Sequence, residues 1–129
     1  MSERKRIYIF LIDDYYVFKQ YVPRTGVFAE LQDYYNDDQY RFEVPKDDLV
    51  EVARLLEQQQ YKLRRIIQLE EFAVVKKQQT NHAGILRNAV AHWRQDGYTV
   101  FVMQSPQAIR EAVDHGATRF EATDLNLER

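Results

Sequence analysis

The chain contains no cysteine. Disulfides, thiolate nucleophiles and Cys-ligated zinc or iron–sulfur centres are therefore excluded. A cytoplasmic location is the expectation this fits. Glycine is scarce, with four residues, and none sits in a Gly-rich loop of the kind that cradles phosphates. No apolar run approaches the roughly 18 residues of a membrane-spanning helix, so no membrane partner is expected. The start, MSERKR then IYIFLI, combines charge with an apolar run, but that run is six residues long and stops at Asp13-Asp14. It reads as a strand and not as a signal peptide. The three histidines, His82, His92 and His115, form no His-x-x-x-His pair. A metal site would need acids brought in by the fold. No Ser, His and acid arrangement stands out. The residues thus lean away from an enzyme, and no cofactor or metal ligand is assigned.

What is present is an ordinary globular composition. With 129 residues, one domain over 1–129 is expected. A chain this long buries roughly two thirds of its unfolded surface and folds without covalent staples. The net charge of −2 conceals an uneven distribution. Residues 1–60 hold eight Lys/Arg against twelve Asp/Glu, residues 61–100 seven against three, and residues 101–129 three against five. The middle is basic and both ends are acidic. Aromatics crowd the first third: 11 of 17 lie between Tyr8 and Phe42.

The segment Thr80–Phe101 organises the reading. Ile85, Leu86, Ala89, Val90 and Trp93 recur at helical spacing. Thr80 or Asn81 caps the start of this helix and Gly97 ends it. Trp93 is expected between that helix and the sheet. Tyr98–Met103 is an almost unbroken apolar run and reads as a central strand. Earlier in the chain, Arg6–Ile12 is a strand and part of 15–22 is extended. A short helix covers 27–35, with Phe28, Leu31 and Tyr35 on one face. Tyr40–Val44 alternates as a half-buried strand. Pro45 opens a helix whose stripe is Leu49, Val52, Ala53 and Leu56. The 61–77 segment reads as two strands, 62–69 and 72–77, joined by a tight turn at Glu70-Glu71. Ser105-Pro106 starts a further helix with Ala108, Ile109, Ala112 and Val113 inward, closed by Gly116. Residues 119–122 make a last edge strand, and 125–129 a tail that frays.

This order predicts an α+β protein. Over about 41–103 it is strand-helix-strand-strand-helix-strand, a ferredoxin-like split βαβ core, extended by an N-terminal strand with a short helix and by a C-terminal helix. The alternative is a flavodoxin- or receiver-like three-layer α/β fold with a parallel sheet. The segment VFVMQSPQAIREAVDHGATRFEATDL resembles the later strands and helix of a receiver domain, and Asp13-Asp14 fall where such a domain holds magnesium. The resemblance fails where the chemistry would lie. Arg64–Leu69 leads into Glu70-Glu71 and supplies no aspartate, and Ala122-Thr123 stand where a lysine is required.

Two surfaces are candidates for binding. Lys62, Arg64, Lys76, Lys77 and Arg87, with Asn81 and His82 at a helix start, form a basic set that could hold an anion or a nucleic acid. Alternation separates Arg64 from Arg65. Tyr15, Tyr16, Tyr21, Tyr34 and Tyr35 exceed the needs of one small core, and tyrosine is an interface residue. The primary expectation is an interaction or binding module that forms a homo-oligomer or binds another protein. Acidic residues of one copy would meet the basic middle of the next. Nucleic-acid binding through the basic middle is the alternative, and a degenerate receiver-like or metal-dependent enzyme domain the third reading.

Overall fold

Five strands of the first half form one sheet and four strands of the second half another. The structure is a computed structural model that describes residues 5–19, 26–78 and 82–127. The chain divides into two units, Met1–Ile67 and Gln68–Arg129.

The first unit begins with β1 (Lys5–Ile12) and β2 (Tyr15–Phe18), an antiparallel hairpin. Asp13 and Asp14 form its two-residue turn, with φ of 49° and 70°. This is the pattern of a type I′ turn, whose twist matches the flanking strands. A 3-10 helix, Gly26–Tyr34, leads to β3 (Tyr35–Asn36). A turn capped by the Asn36 side chain, whose Oδ1 accepts from the amides of Asp38 and Gln39, leads into β4 (Arg41–Pro45). Next come a 3-10 turn, Lys46–Asp48, then α1 (Leu49–Gln58) and β5 (Tyr61–Ile66). The sheet order is β3-β4-β2-β1-β5, with β5 parallel to β1 at one edge. Because β4, β2 and β1 alternate in direction, β4-α1-β5 is a βαβ crossover that passes over two strands. One apolar cluster lies on one side of this sheet, and on the other side Phe10, Ile12, Val17 and Ile66 are buried as well. Ile7, Ile9, Tyr16, Phe18, Phe42 and Val44 meet Leu31 and the α1 stripe of Val52 and Leu56. Phe18 and Phe42 stack with centroids 4.9 Å apart.

The second unit opens with a 3-10 turn, Leu69–Phe72, and continues as β6 (Ala73–Lys77), α2 (Ala83–Leu86), β7 (Ala89–Gln95), β8 (Tyr98–Met103), α3 (Pro106–Asp114) and β9 (Thr118–Arg119). Its sheet order is β7-β8-β6-β9, and every pair is antiparallel. Ser105 caps α3 by accepting from the Ala108 amide at 3.1 Å, Pro106 takes the first helical position, and Gly116 ends the element at φ 94°. Ala73, Val75, Val100 and Phe120 form a core cluster, with Trp93, Leu125 and Leu127 packed on it.

Several expectations change. The helix drawn from Thr80 is, among the described residues, a four-residue turn of helix followed by β7. Asp96-Gly97 does not end a helix. With φ of 52° and 81° it is a second type I′ turn, joining β7 to β8. The spacing of Ile85, Leu86, Ala89, Val90 and Trp93 mimicked a helical stripe because the first two belong to α2 and the last three to a strand with a bulge between Ala89 and Ala91. Trp93 consequently sits on a strand, half-buried against the Val75–Val100 cluster. The strands of 61–77 do not pair. β5 joins β1, whereas β6 joins β8 and β9. The strands drawn into one split βαβ core over 41–103 are thus divided between two sheets, and the helix needed at its second crossover is a strand. The parallel three-layer alternative is overturned by the antiparallel pairs that fill the second sheet. Val113, expected inward, is 40% exposed. The tail is tied down as far as Leu127: the Gln95 side-chain amide donates to the Asn126 carbonyl, and Leu125 and Leu127 pack on the cluster. Arg129, Thr80 and Asn81 lie outside the described residues. The central position of β8, fully buried from Thr99 to Met103, is as expected.

Candidate functional site: two charged edges of one sheet

Alternation along the strands sorts the predicted residues. On β1, Ile7 and Ile9 point into the core, so Arg6 and Tyr8 belong to the outer face of the first sheet. The parallel register pairs Arg6 with Lys62 and Tyr8 with Arg64. Lys62 and Arg64 therefore share that face, and all three cations are exposed. Arg65 goes the other way. It lines an open groove of about 480 Å³ between α1 and β5, together with Leu49, Ala53 and Leu63. The expected separation of Arg64 from Arg65 is what the sheet imposes.

The outer face continues toward β4. There Phe42 and Val44 point to the core, and Arg41 and Glu43 point outward. Arg41 Nε and Glu43 Oε2 are 2.8 Å apart, and the Asn36 side chain also donates to that carboxylate, at 3.2 Å. Lys19 follows β2 one step beyond the Phe18–Phe42 pair, next to the Arg41 position. Burial, and then the Arg41 charge, hold its ammonium below the ordinary lysine pKa.

At the β3–β4 end an open groove of about 670 Å³ is lined by Tyr15, Tyr34 and Tyr35 together with Asp33, Asp37, Asp38 and Glu43. Three of the five predicted interface tyrosines thus come together, in company with four carboxylates. Tyr15 is 44% exposed. Tyr34 donates its hydroxyl proton to Asp48 Oδ2 at 3.1 Å, and burial with that hydrogen bond pushes its phenol above the usual range. Tyr35 lies edge-on against Phe42 with centroids 5.0 Å apart. Tyr16 is a correction: it is buried in the core, because β2 alternates and Tyr16 falls on the inner side. Tyr21 lies outside the described residues. Tyr40, 67% exposed at φ 54°, ends the turn before β4.

The remaining predicted cations belong to the second unit. Lys76 Nζ donates to the His115 carbonyl at 2.9 Å, which ties β6 to the end of α3. Lys77 is exposed, and its carbonyl oxygen is 2.8 Å from His82 Nε2. The His82 ring stands edge-on to Phe101. Arg87 is exposed just past α2. At the expected anion site, α2 has only four residues and the His82 ring is engaged by backbone and aromatic neighbours, while Asn81 lies outside the described residues. Asp13 and Asp14 are turn residues, and Asp14 pairs with Lys46 at 3.2 Å. Among the described residues no group of three or more His, Cys, Asp or Glu is placed to hold a metal ion, and no helix is long and apolar enough to cross a membrane.

Sequence reasoning missed Arg6, Tyr8 and Lys19, because the basic middle drew attention away from an N-terminal strand of mixed charge. The period-two pattern of Arg6-Ile7-Tyr8-Ile9 was the signal that could have found two of them. Comparison with protein-family models, curated proteins and solved structures finds no match to this chain.

Proposed function

We propose that this chain is a protein-interaction module that assembles with itself, head to tail, through the two opposite edges of its first sheet. One observation carries the reading. A groove of tyrosines and carboxylates lies at the β3–β4 edge of the first sheet, and Arg6, Lys62 and Arg64 lie at its opposite, β1–β5 edge. Three strand spacings, about 15 Å, separate β4 from β5. The two edges of the sheet therefore carry opposite charge.

The charges also select the mode of assembly. β5 is an edge strand, and exposed edges pair readily unless charge prevents it. Two β5 edges brought together would set Lys62, Arg64 and Arg65 against the same cations of the second copy. Pairing of the basic end with the acidic groove removes that repulsion. Guanidinium and ammonium groups lie well over tyrosine rings, and Asp33, Asp37 and Asp38 supply the counter-charge. Contacts of this kind contribute about 0.5–1 kcal/mol each at exposed sites. The association is accordingly weak, concentration-dependent and sensitive to salt. A head-to-tail contact joins different surfaces, so it propagates as a chain or closes as a ring.

Sedimentation analysis over a range of concentrations tests this. Wild-type protein should grow beyond the monomer at low salt and dissociate at high salt. Asp37→Lys/Asp38→Lys and Lys62→Glu/Arg64→Glu should each be monomeric. An equimolar mixture of the two should give a one-to-one pair and nothing larger, since only one intact groove and one intact basic end remain. A monomeric wild type, or variants that assemble as the wild type does, would sink the reading.

A further inference from the structure

Arg6, Lys62 and Arg64 stand exposed on two hydrogen-bonded strands, with the half-buried ring of Tyr8 among them. Lys62 and Arg64 are two residues apart on β5, about 6.6 Å along the strand. Arg6 and Tyr8 repeat that step on β1, about 4.8 Å away. Continuing the row across the sheet reaches Lys19 and Arg41. The carboxylate at this side of the face, Glu43, is taken up by Arg41 and Asn36. At the β1–β5 end this leaves a ladder of three exposed cations, Arg6, Lys62 and Arg64, with an aromatic ring set among them.

We propose that this ladder binds single-stranded nucleic acid, with Arg6, Lys62 and Arg64 meeting backbone phosphates and Tyr8 presenting its ring to a base. The exposed strip of this face, bounded by the buried Phe10 and Ile66, does not enter a duplex groove as a helix does. It suits an open strand, whose phosphates track the cations while bases stack on aromatic side chains. The proposal does not require self-assembly, although both use Lys62 and Arg64. Nucleic acid and a second copy would compete for the basic end.

The test is fluorescence anisotropy of a labelled oligo(U) or oligo(dT) titrated with the full chain at rising salt. Three phosphates neutralised give a slope of log K against log salt of about −2. Arg64→Ala should flatten that slope by about 0.7, and Lys62→Ala should do the same. Arg6→Glu/Arg64→Glu should abolish binding while the far-UV circular dichroism remains that of the wild type. Asp37→Lys/Asp38→Lys, which breaks the groove needed for assembly, should still bind the oligonucleotide. Failure of assembly and failure of nucleic-acid binding are thereby separable. Three results would overturn the proposal: no binding at low salt, wild-type binding by the charge-reversed variant, or duplex bound as tightly as single strand. Polyglutamate competing as well as unlabelled oligonucleotide would overturn it too, and would assign the ladder to an acidic protein segment.

Discussion

Tyr34 shows how much a single side chain can carry. Its hydroxyl joins the end of the 3-10 helix to Asp48 at the start of α1. Tyr34→Phe removes that hydrogen bond and leaves the ring, so the expected loss is about 1 kcal/mol in urea denaturation near neutral pH. The phenol pKa is raised in the folded state, by burial first and then by Asp48. A raised pKa contributes stability that is fully present below the unfolded value of 10.0 and is lost as pH rises through the folded value. The wild type should therefore lose stability above about pH 10 by a contribution that the Phe variant lacks. An identical pH dependence in the two proteins would refute this account. Composition disclosed a surplus of tyrosine but could not sort it. Tyr15 and Tyr16 are neighbours in sequence, yet one is exposed and the other is core, because one residue of strand reverses the side.

At the scale of elements, two hairpins share one device. Asp13-Asp14 and Asp96-Gly97 both place two left-handed residues between paired strand ends. Only the second uses the glycine that such turns favour. Asp14→Gly should therefore stabilise the protein by about 1 kcal/mol, the strain of a left-handed residue with a Cβ. The Asp14–Lys46 ion pair that is lost is largely exposed and contributes less. A higher thermal midpoint supports this, and a lower one shows that the ion pair or another contact of Asp14 outweighs the strain. The Asp-Gly signal also explains the misread helix. Its dipeptide lay in plain view between the apolar residues before Gln95 and those after Tyr98. The apolar spacing of Ile85 to Trp93 hid it, since a bulge at Ala89–Ala91 breaks the period of two that would have announced a strand.

Across the whole molecule, each sheet has apolar clusters of its own, and stability can be probed by unit. In the first unit Leu56 is completely buried under the sheet, whereas Val50 on the same helix is 82% exposed. Leu56→Ala should cost about 2–5 kcal/mol by chemical denaturation. Val50→Ala should change stability by less than about 0.5 kcal/mol. Equal effects would mean that α1 does not pack as described. Charge is organised at this scale too. The acidic and basic edges of the first sheet come from residues 33–43 and from residues 6 and 62–64, which sequence distance alone does not relate.

The sequence by itself determined what short-range chemistry controls. It specified the strand from Arg6, the amphipathic α1 after Pro45, the Ser-Pro start of α3, the buried β8 and the exclusion of cysteine chemistry. In each of these, local pattern and backbone preference agree. Only the tertiary structure decided which strands pair. β5 and β6 are nearly consecutive, but β5 hydrogen-bonds to β1, more than fifty residues earlier, and β6 to β8 and β9. Strand pairing follows the burial of whole sheet faces, a non-local quantity that no window of sequence contains. For the same reason the basic middle was legible as composition but not as a surface. Half of it joins Arg6 and Tyr8 on the first sheet, and the other half belongs to the second.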